Sequence, residues 1–225
     1  MIRIEPFGAE ALLLDLADTP DVHLPGRIAA LAACILDECG ELVSDLVPSW
    51  TSLLLHYDLL RTHPEQLIER LTPLIERWQG TPPGEEPGRL HELPVWYAGE
   101  DLADVAVACG ISVAEVIALH SDIDYRVGAI GFAPGFAYLG ELDVRLALPR
   151  RATPRTRVPA GSLAIAERQT AVYPQASPGG WHLLGLCPQP LFEAGRTPPC
   201  PLSIGDRVRF VPVDESTYRR LSGRP

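Results

Sequence analysis

The chain contains no lysine; all 19 of its basic residues are arginine. That absence excludes a Schiff-base lysine, a lysine general base and the phosphate-gripping lysine of a Walker loop. Cysteine is scarce as well. Cys34, Cys39, Cys109, Cys187 and Cys200 are odd in number and show no Cys-x-x-Cys spacing, against both a disulfide framework and a zinc knuckle. No apolar run reaches the roughly 18 residues a membrane-spanning helix needs. The opening stretch Met-Ile-Arg-Ile-Glu-Pro-Phe lacks the apolar core of a signal peptide, which predicts a cytoplasmic location. Also missing are a Gly-x-Ser-x-Gly elbow, a His-Glu-x-x-His helix and any recognisable carboxylate pair. No metal site is expected.

What is present describes an ordinary globular protein. The 225 residues are 46% hydrophobic and 21% charged, enough for one large or two small domains. A net charge of −10 opposes non-specific binding to a phosphate backbone, so nucleic acid is not an expected partner.

Residues 1–78 read as alternating strands and helices. Ala11–Leu16, Leu42–Val47 and Ser52–Tyr57 have strand character, the last two joined at Pro48-Ser-Trp-Thr51. Ile28, Leu31, Ala32, Ile35 and Leu36 recur at helical spacing, with Gly40 as the expected cap. A second helix carries Leu67, Ile68, Leu71, Leu74, Ile75 and Trp78 on one face. It carries Pro73 in its interior and is opened by a Thr62/Glu65 capping box. With a strand at Leu93–Tyr97 to complete it, this order predicts a ferredoxin-like α+β unit. Residues 79–89, rich in Pro and Gly, read as a linker.

Residues 90–225 then form a second, mainly-β domain. Two short helices are expected at 101–120, the first stopped by Gly110 and the second opened by a Ser112/Glu115 capping box. The pair is not a DNA-reading helix-turn-helix, because Val113–His120 has almost no basic or amide side chain. Beyond about residue 125 no helical periodicity appears. Short strands with Gly/Pro corners at 127–130, 162–166, 171–173, 182–186 and 207–213 predict a closed or nearly closed barrel.

Candidate chemistry clusters in this half. His120 ends a helix, where the dipole favours a protonated imidazole, and Tyr125 follows it. Arg150, Arg151, Arg155 and Arg157 lie in a stretch held extended by Pro149, Pro154 and Pro159. A regular strand would put Arg151, Arg155 and Arg157 on one side, as anion forks or as surface ion pairs. Gly135 and the pair Gly179-Gly180 suit an anion-binding backbone nest or a plain turn. Gln169, Thr170 and Ser177 suit an amide ligand or barrel-corner hydrogen bonds.

Several long blocks carry a resemblance. These are His120…Tyr125…Gly131-Phe-Ala-Pro-Gly-Phe-Ala-Tyr-Leu139, Val158-Pro-Ala-Gly-Ser162, Ser177-Pro-Gly-Gly-Trp181 and Gly205-Asp-Arg-Val-Arg-Phe210. They resemble the signature blocks of the 5-oxoprolinase B-subunit family, which includes the KipI-type kinase inhibitors and was long labelled allophanate hydrolase subunit 1. The resemblance implies a small α+β domain followed by a cyclophilin-like β-barrel. It implies two partners as well, one a C-type subunit of related barrel fold, the other an A-type subunit. Together the three use ATP to open 5-oxoproline to glutamate. Under this resemblance, Arg155 would hold the substrate carboxylate or a phosphorylated intermediate. Gln169 and Ser177 would meet the lactam amide, and His120 and Tyr125 would donate to a developing oxyanion. Two other functions stay open. One is a regulator docking on a histidine kinase through an apolar patch that includes Trp181 and Phe136. The other is the carboxyltransferase half of a biotin-dependent urea or amide carboxylase. The sequence departs from the family pattern at Trp96, in the short loop Gly99–Leu102, at Glu167 and at Leu186-Cys187.

Overall fold

The computed structural model describes residues 2–81 and 88–223. It divides into two compact units, Met1–Gly88 and Arg89–Pro225. Of the expected linker at 79–89, residues 82–87 lie outside the described residues.

In the first unit, strands β1 (Arg3–Pro6), β2 (Ala11–Asp15), β3 (Val43–Pro48) and β4 (Ser52–Tyr57) form one antiparallel sheet in the order β1-β2-β4-β3. Alternation along β2 and β4 sends Leu12, Leu14, Leu53, Leu55 and Tyr57 into the core. Helix α1 (Leu24–Cys39) meets them with Ile28, Leu31 and Ile35, and α2 (Pro64–Gly80) with Leu67, Leu71 and Leu74. Both helices start with proline in the first turn, where no intrahelical partner is lost. Gly40 closes α1 with an ordinary helical φ of −59° instead of a left-handed cap. The expected Thr62/Glu65 box does not form; His63 is the N-cap of α2, and the Thr62 hydroxyl donates to the His63 carbonyl.

The expected closing strand belongs elsewhere. β1 occupies the edge beside β2, and Leu93 lies in β5 (Leu90–Val95), a strand of the second unit. There, seven strands run in the order β12-β9-β10-β7-β6-β13-β5. They are β6 (Asp124–Ile130), β7 (Ala137–Gly140), β9 (Ser162–Ala166), β10 (Gln169–Val172), β12 (His182–Leu186) and β13 (Arg207–Pro212), together with β5. β5 runs parallel to β13, and the other pairs are antiparallel. Just past β5, Trp96 exchanges two backbone hydrogen bonds of 2.9 Å with Leu186 of β12, which brings the two sheet edges together in a nearly closed barrel. A separate two-stranded arm pairs β8 (Arg155–Val158) with β11 (Ser177–Gly179).

Helices α3 (Leu102–Cys109) and α4 (Val113–Ser121) pack on this sheet. Gly110 ends α3 at φ +68°, and the Ser112/Glu115 capping box opens α4. One helix has no counterpart in the sequence pattern. α5 (Glu215–Ser222) is capped by the Asp214 carboxylate on the Thr217 N–H at 2.8 Å. It buries only Tyr218, so it has no apolar stripe to reveal it. No single helix among the described residues is long and apolar enough to cross a membrane.

Candidate functional site

The loop between β6 and β7 builds one wall of a surface cavity in the second unit. The Ala133 N–H donates to the Gly131 carbonyl at 2.8 Å, an i to i+2 bond that makes Phe132 the centre of a γ-turn with φ +68°. The Phe136 N–H then donates to the Ala133 carbonyl at 2.9 Å across Ala133-Pro134-Gly135-Phe136. Proline followed by a glycine at φ +80° is the order of a type II turn. Gly135 is fixed by that turn and by the Leu191 carbonyl pressed against its α-carbon, which leaves no room for a Cβ. Its backbone serves the loop, and it does not line the cavity.

The turn throws Phe136 into a buried aromatic cluster with Tyr138, Tyr173 and Trp181. Ring centroids from Phe136 lie 4.9 Å from Tyr138, 5.3 Å from Tyr173 and 5.9 Å from Trp181, all edge to face. These rings, with Phe132 at the mouth, wall a cavity of about 220 Å³. Arg150, Arg151 and Pro154 line it from one side, and Pro178, Gly179 and Gly180 from the other. Gly179 has no space for a side chain because the Tyr173 hydroxyl sits against it. The Arg151 N–H donates to the Gly180 carbonyl at 2.8 Å and ties the two sides together. Among the described residues no acidic side chain lines the cavity, and its charged edge is carried by Arg150, 3.8 Å from Glu167, and by Arg151.

Asp101 organises the arginines. Its Oδ1 accepts from Arg151 Nη1 at 2.8 Å and from Arg155 Nη2 at 2.7 Å, and its Oδ2 accepts from the Leu183 N–H at 2.7 Å. Burial works to raise this carboxyl, but the hydrogen bonds from Arg155 and Leu183 and both guanidinium charges outweigh it and hold it below its ordinary value. Arg155 also reaches Glu100 at 3.3 Å. Three buried donors on or beside the arm have no partner among the described residues: Arg151 Nε, Arg155 Nη1 and Ser177 Oγ. Arg157 is exposed and forms no ion pair among the described residues. The expectation that Arg155 and Arg157 share a side with Arg151 fails because β8 is not regular. The β8–β11 register slips between Ser177 and Gly179, which turns Arg155 inward and leaves Arg157 outside.

His120 and Tyr125 lie apart from the cavity, inside the barrel core. His120 is fully buried. The Thr170 hydroxyl donates to the Ala164 carbonyl at 3.0 Å, so toward His120 it accepts; His120 Nε2 therefore carries the proton in the 2.9 Å contact. That leaves Nδ1 to accept from the Tyr97 hydroxyl at 2.8 Å. Burial pushes the imidazole down to about 3, the reverse of the dipole-stabilised cation expected from its place at a helix end. The Tyr125 hydroxyl donates to the His120 carbonyl at 2.9 Å, and burial pushes this phenol well above its usual range. Gln169 is half-buried opposite Ala166 and does not line the cavity. Of the sequence candidates, Arg150, Arg151, Gly179 and Gly180 line the cavity, while Arg155 and Ser177 stand in its supporting arm. Asp101, Phe132, Tyr138 and Tyr173 carry no motif in the sequence that marks them as site residues. The density of aromatic residues in the Gly/Pro blocks is the available signal for the last three; nothing local marks Asp101. Trp181 and Phe136, considered for a docking patch, are 5% and 2% exposed and so form an inner wall. Among the described residues no group of three His, Cys, Asp or Glu is placed to hold a metal ion.

Known proteins share this architecture. The B subunit of 5-oxoprolinase from Escherichia coli O157:H7 is 41% identical over 212 residues, covering 92% of this chain and 94% of that protein. The corresponding 5-oxoprolinase B subunit of Bacillus subtilis (strain 168) is 35% identical over 233 residues, covering 96% and 95%. The crystal structure of TTHA0988 superposes with a TM-score of 0.80 at 38% identity over 95% of this chain; the match spans only 40% of that longer chain. The family model described as carboxyltransferase domain, subdomain C and D, matches residues 2–202, and the chain belongs to that family.

Proposed function

We propose that the chain is the B subunit of an ATP-dependent 5-oxoprolinase complex, which converts 5-oxo-L-proline, ATP and water to L-glutamate, ADP and phosphate. Its partners in this reading are a C-type barrel homologue and an A-type protein. The observation that carries the proposal is the aromatic cavity edged by Arg150 and Arg151, in a chain that is 41% identical to a 5-oxoprolinase B subunit. The cavity is below the roughly 300–1,000 Å³ typical of drug-sized sites, so it suits a small ring. The rings of Tyr138, Tyr173 and Trp181 pack on the faces of a five-membered lactam, and the arginines attract its carboxylate. The orphaned donors Arg155 Nη1 and Ser177 Oγ call for an acceptor nearby.

The same residues do not fit a nucleoside triphosphate. The cavity is too small, and the chain has no lysine to meet a phosphate chain. Among the described residues that line the cavity, none forms a nucleophile–base pair. In this reading the chain binds and orients the lactam while a partner handles ATP. We read the second unit as a cyclophilin-like barrel, and the first as a ferredoxin-like unit whose edge position is filled by β1. The test is co-purification with its genomic neighbours, followed by an assay of ATP-dependent glutamate release from 5-oxo-L-proline. Activity in the complex and none in the isolated chain is expected. A stable complex that releases no glutamate would overturn the substrate assignment.

A further inference from the structure

Among the described residues, two non-glycine residues hold a left-handed backbone, Glu167 at φ +54° and Phe132 at φ +68°. Glu167 is explained by topology. It is one of two residues joining β9 to β10, and tight hairpins of that length call for positive φ. Phe132 has no such reason. It centres a γ-turn of the rare, strained hand, where glycine would sit without strain. Core packing does not demand its ring either, because the residue is 63% exposed. A large aromatic side chain is thus kept in a disfavoured conformation with most of its surface in water. Strain of this kind persists where the surroundings hold a residue for function.

The ring's position supplies the function. One edge packs against Phe136 at 5.2 Å and against Tyr173 at 6.4 Å, the latter at 90°. The rest stands free at the cavity mouth, which it helps to line. We propose that Phe132 is a ligand-contacting, specificity-determining residue. Its free surface covers the outer face of the bound cyclic amide, so the ligand is enclosed by aromatic groups on its inner and outer sides and larger rings are refused. This rests on the reading of the cavity as the substrate site.

The test compares wild type with Phe132→Ala, Phe132→Tyr and Phe132→Gly. KM and kcat for 5-oxo-L-proline are measured in the assembled complex, melting temperature on the isolated chain, and assembly by size-exclusion chromatography. Loss of one aromatic contact is expected to raise KM in Phe132→Ala by roughly threefold to tenfold, with kcat moved less. Phe132→Tyr is expected to keep KM near the wild-type value, and Phe132→Gly to melt no lower than wild type. An unchanged KM in Phe132→Ala would overturn the inference. So would a raised KM that tyrosine does not rescue, or a lost partner with KM intact, which would make Phe132 an assembly contact. Arg150→Gln separates the two failures. If it raises KM while Phe132→Ala does not, the cavity reading stands and the role of Phe132 falls. If neither moves KM, the cavity reading itself has failed.

Discussion

The buried imidazole of His120 makes the most quantitative prediction. In the folded chain both ring nitrogens are committed, Nε2–H to Thr170 and Nδ1 to the Tyr97 hydroxyl, and no water reaches the ring. Protonation needs a donor on Nδ1, where a donor already points, and places a charge among Tyr125, Phe210 and Tyr97. Burial therefore lowers the group from 6.5 to about 3. The unfolded chain takes up this proton near 6.5 and the folded chain does not. Stability from this group is complete above the unfolded value and drains as pH falls toward the folded one. At about 1.4 kcal/mol per pH unit, the full window caps the loss at about 5 kcal/mol, and roughly 3 kcal/mol is gone by pH 4. Urea unfolding of wild type and His120→Gln from pH 7 to 4 isolates the effect. The variant starts less stable, and the gap narrows by roughly 3 kcal/mol on acidification. Imidazole NMR on the folded chain should show the Nε2–H tautomer with no titration above pH 5. A His120 titration at 6 or higher, or a gap independent of pH, would mean that the folded chain accommodates the imidazolium.

Two further substitutions probe the arm and the hairpin. Asp101→Ala leaves Arg151, Arg155 and the Leu183 N–H without their shared acceptor. Breaking a buried pair costs about 3–5 kcal/mol, and the partial exposure of Arg151 puts the expected loss near the lower end. Denaturant unfolding reads it, and a loss below about 1 kcal/mol would show the carboxylate to be incidental. Glu167→Gly relieves a left-handed residue at the cost of one weak exposed ion pair, so stability should rise by about 0.5–1 kcal/mol. A melting temperature well below wild type would mean that the β9–β10 turn is not left-handed.

Local patterns in the sequence locate the elements whose formation is itself local. The short apolar runs at Ala11–Leu16 and Ser52–Tyr57 mark strands, and the helical faces of α1 and α2 emerge because one buried side fixes the period. The Ser112 capping box is readable for the same reason. What escapes depends on distant partners. Nothing in Leu90–Val95 announces that it will run parallel to β13 instead of completing the first sheet. The Thr62 box fails because Pro64 moves the helix start one residue along. In the site, the glycines and arginines are visible by type, but their geometry is not. The slipped register of β8 and β11 decides that Arg155 turns inward, and Asp101 acquires its role only when the Leu183 N–H and two arginines from remote segments converge on it. The helix end suggests a charged His120, and burial overrides the dipole.

In the proposed function the aromatic cavity of the second unit holds the lactam. The most direct measurement is a crystal structure of the assembled complex with 5-oxo-L-proline. The expected result is the ring among Tyr138, Tyr173 and Trp181, beneath Phe132, with its carboxylate toward Arg150 and Arg151. The ring bound elsewhere in an active complex, with this cavity holding only solvent, would contradict it.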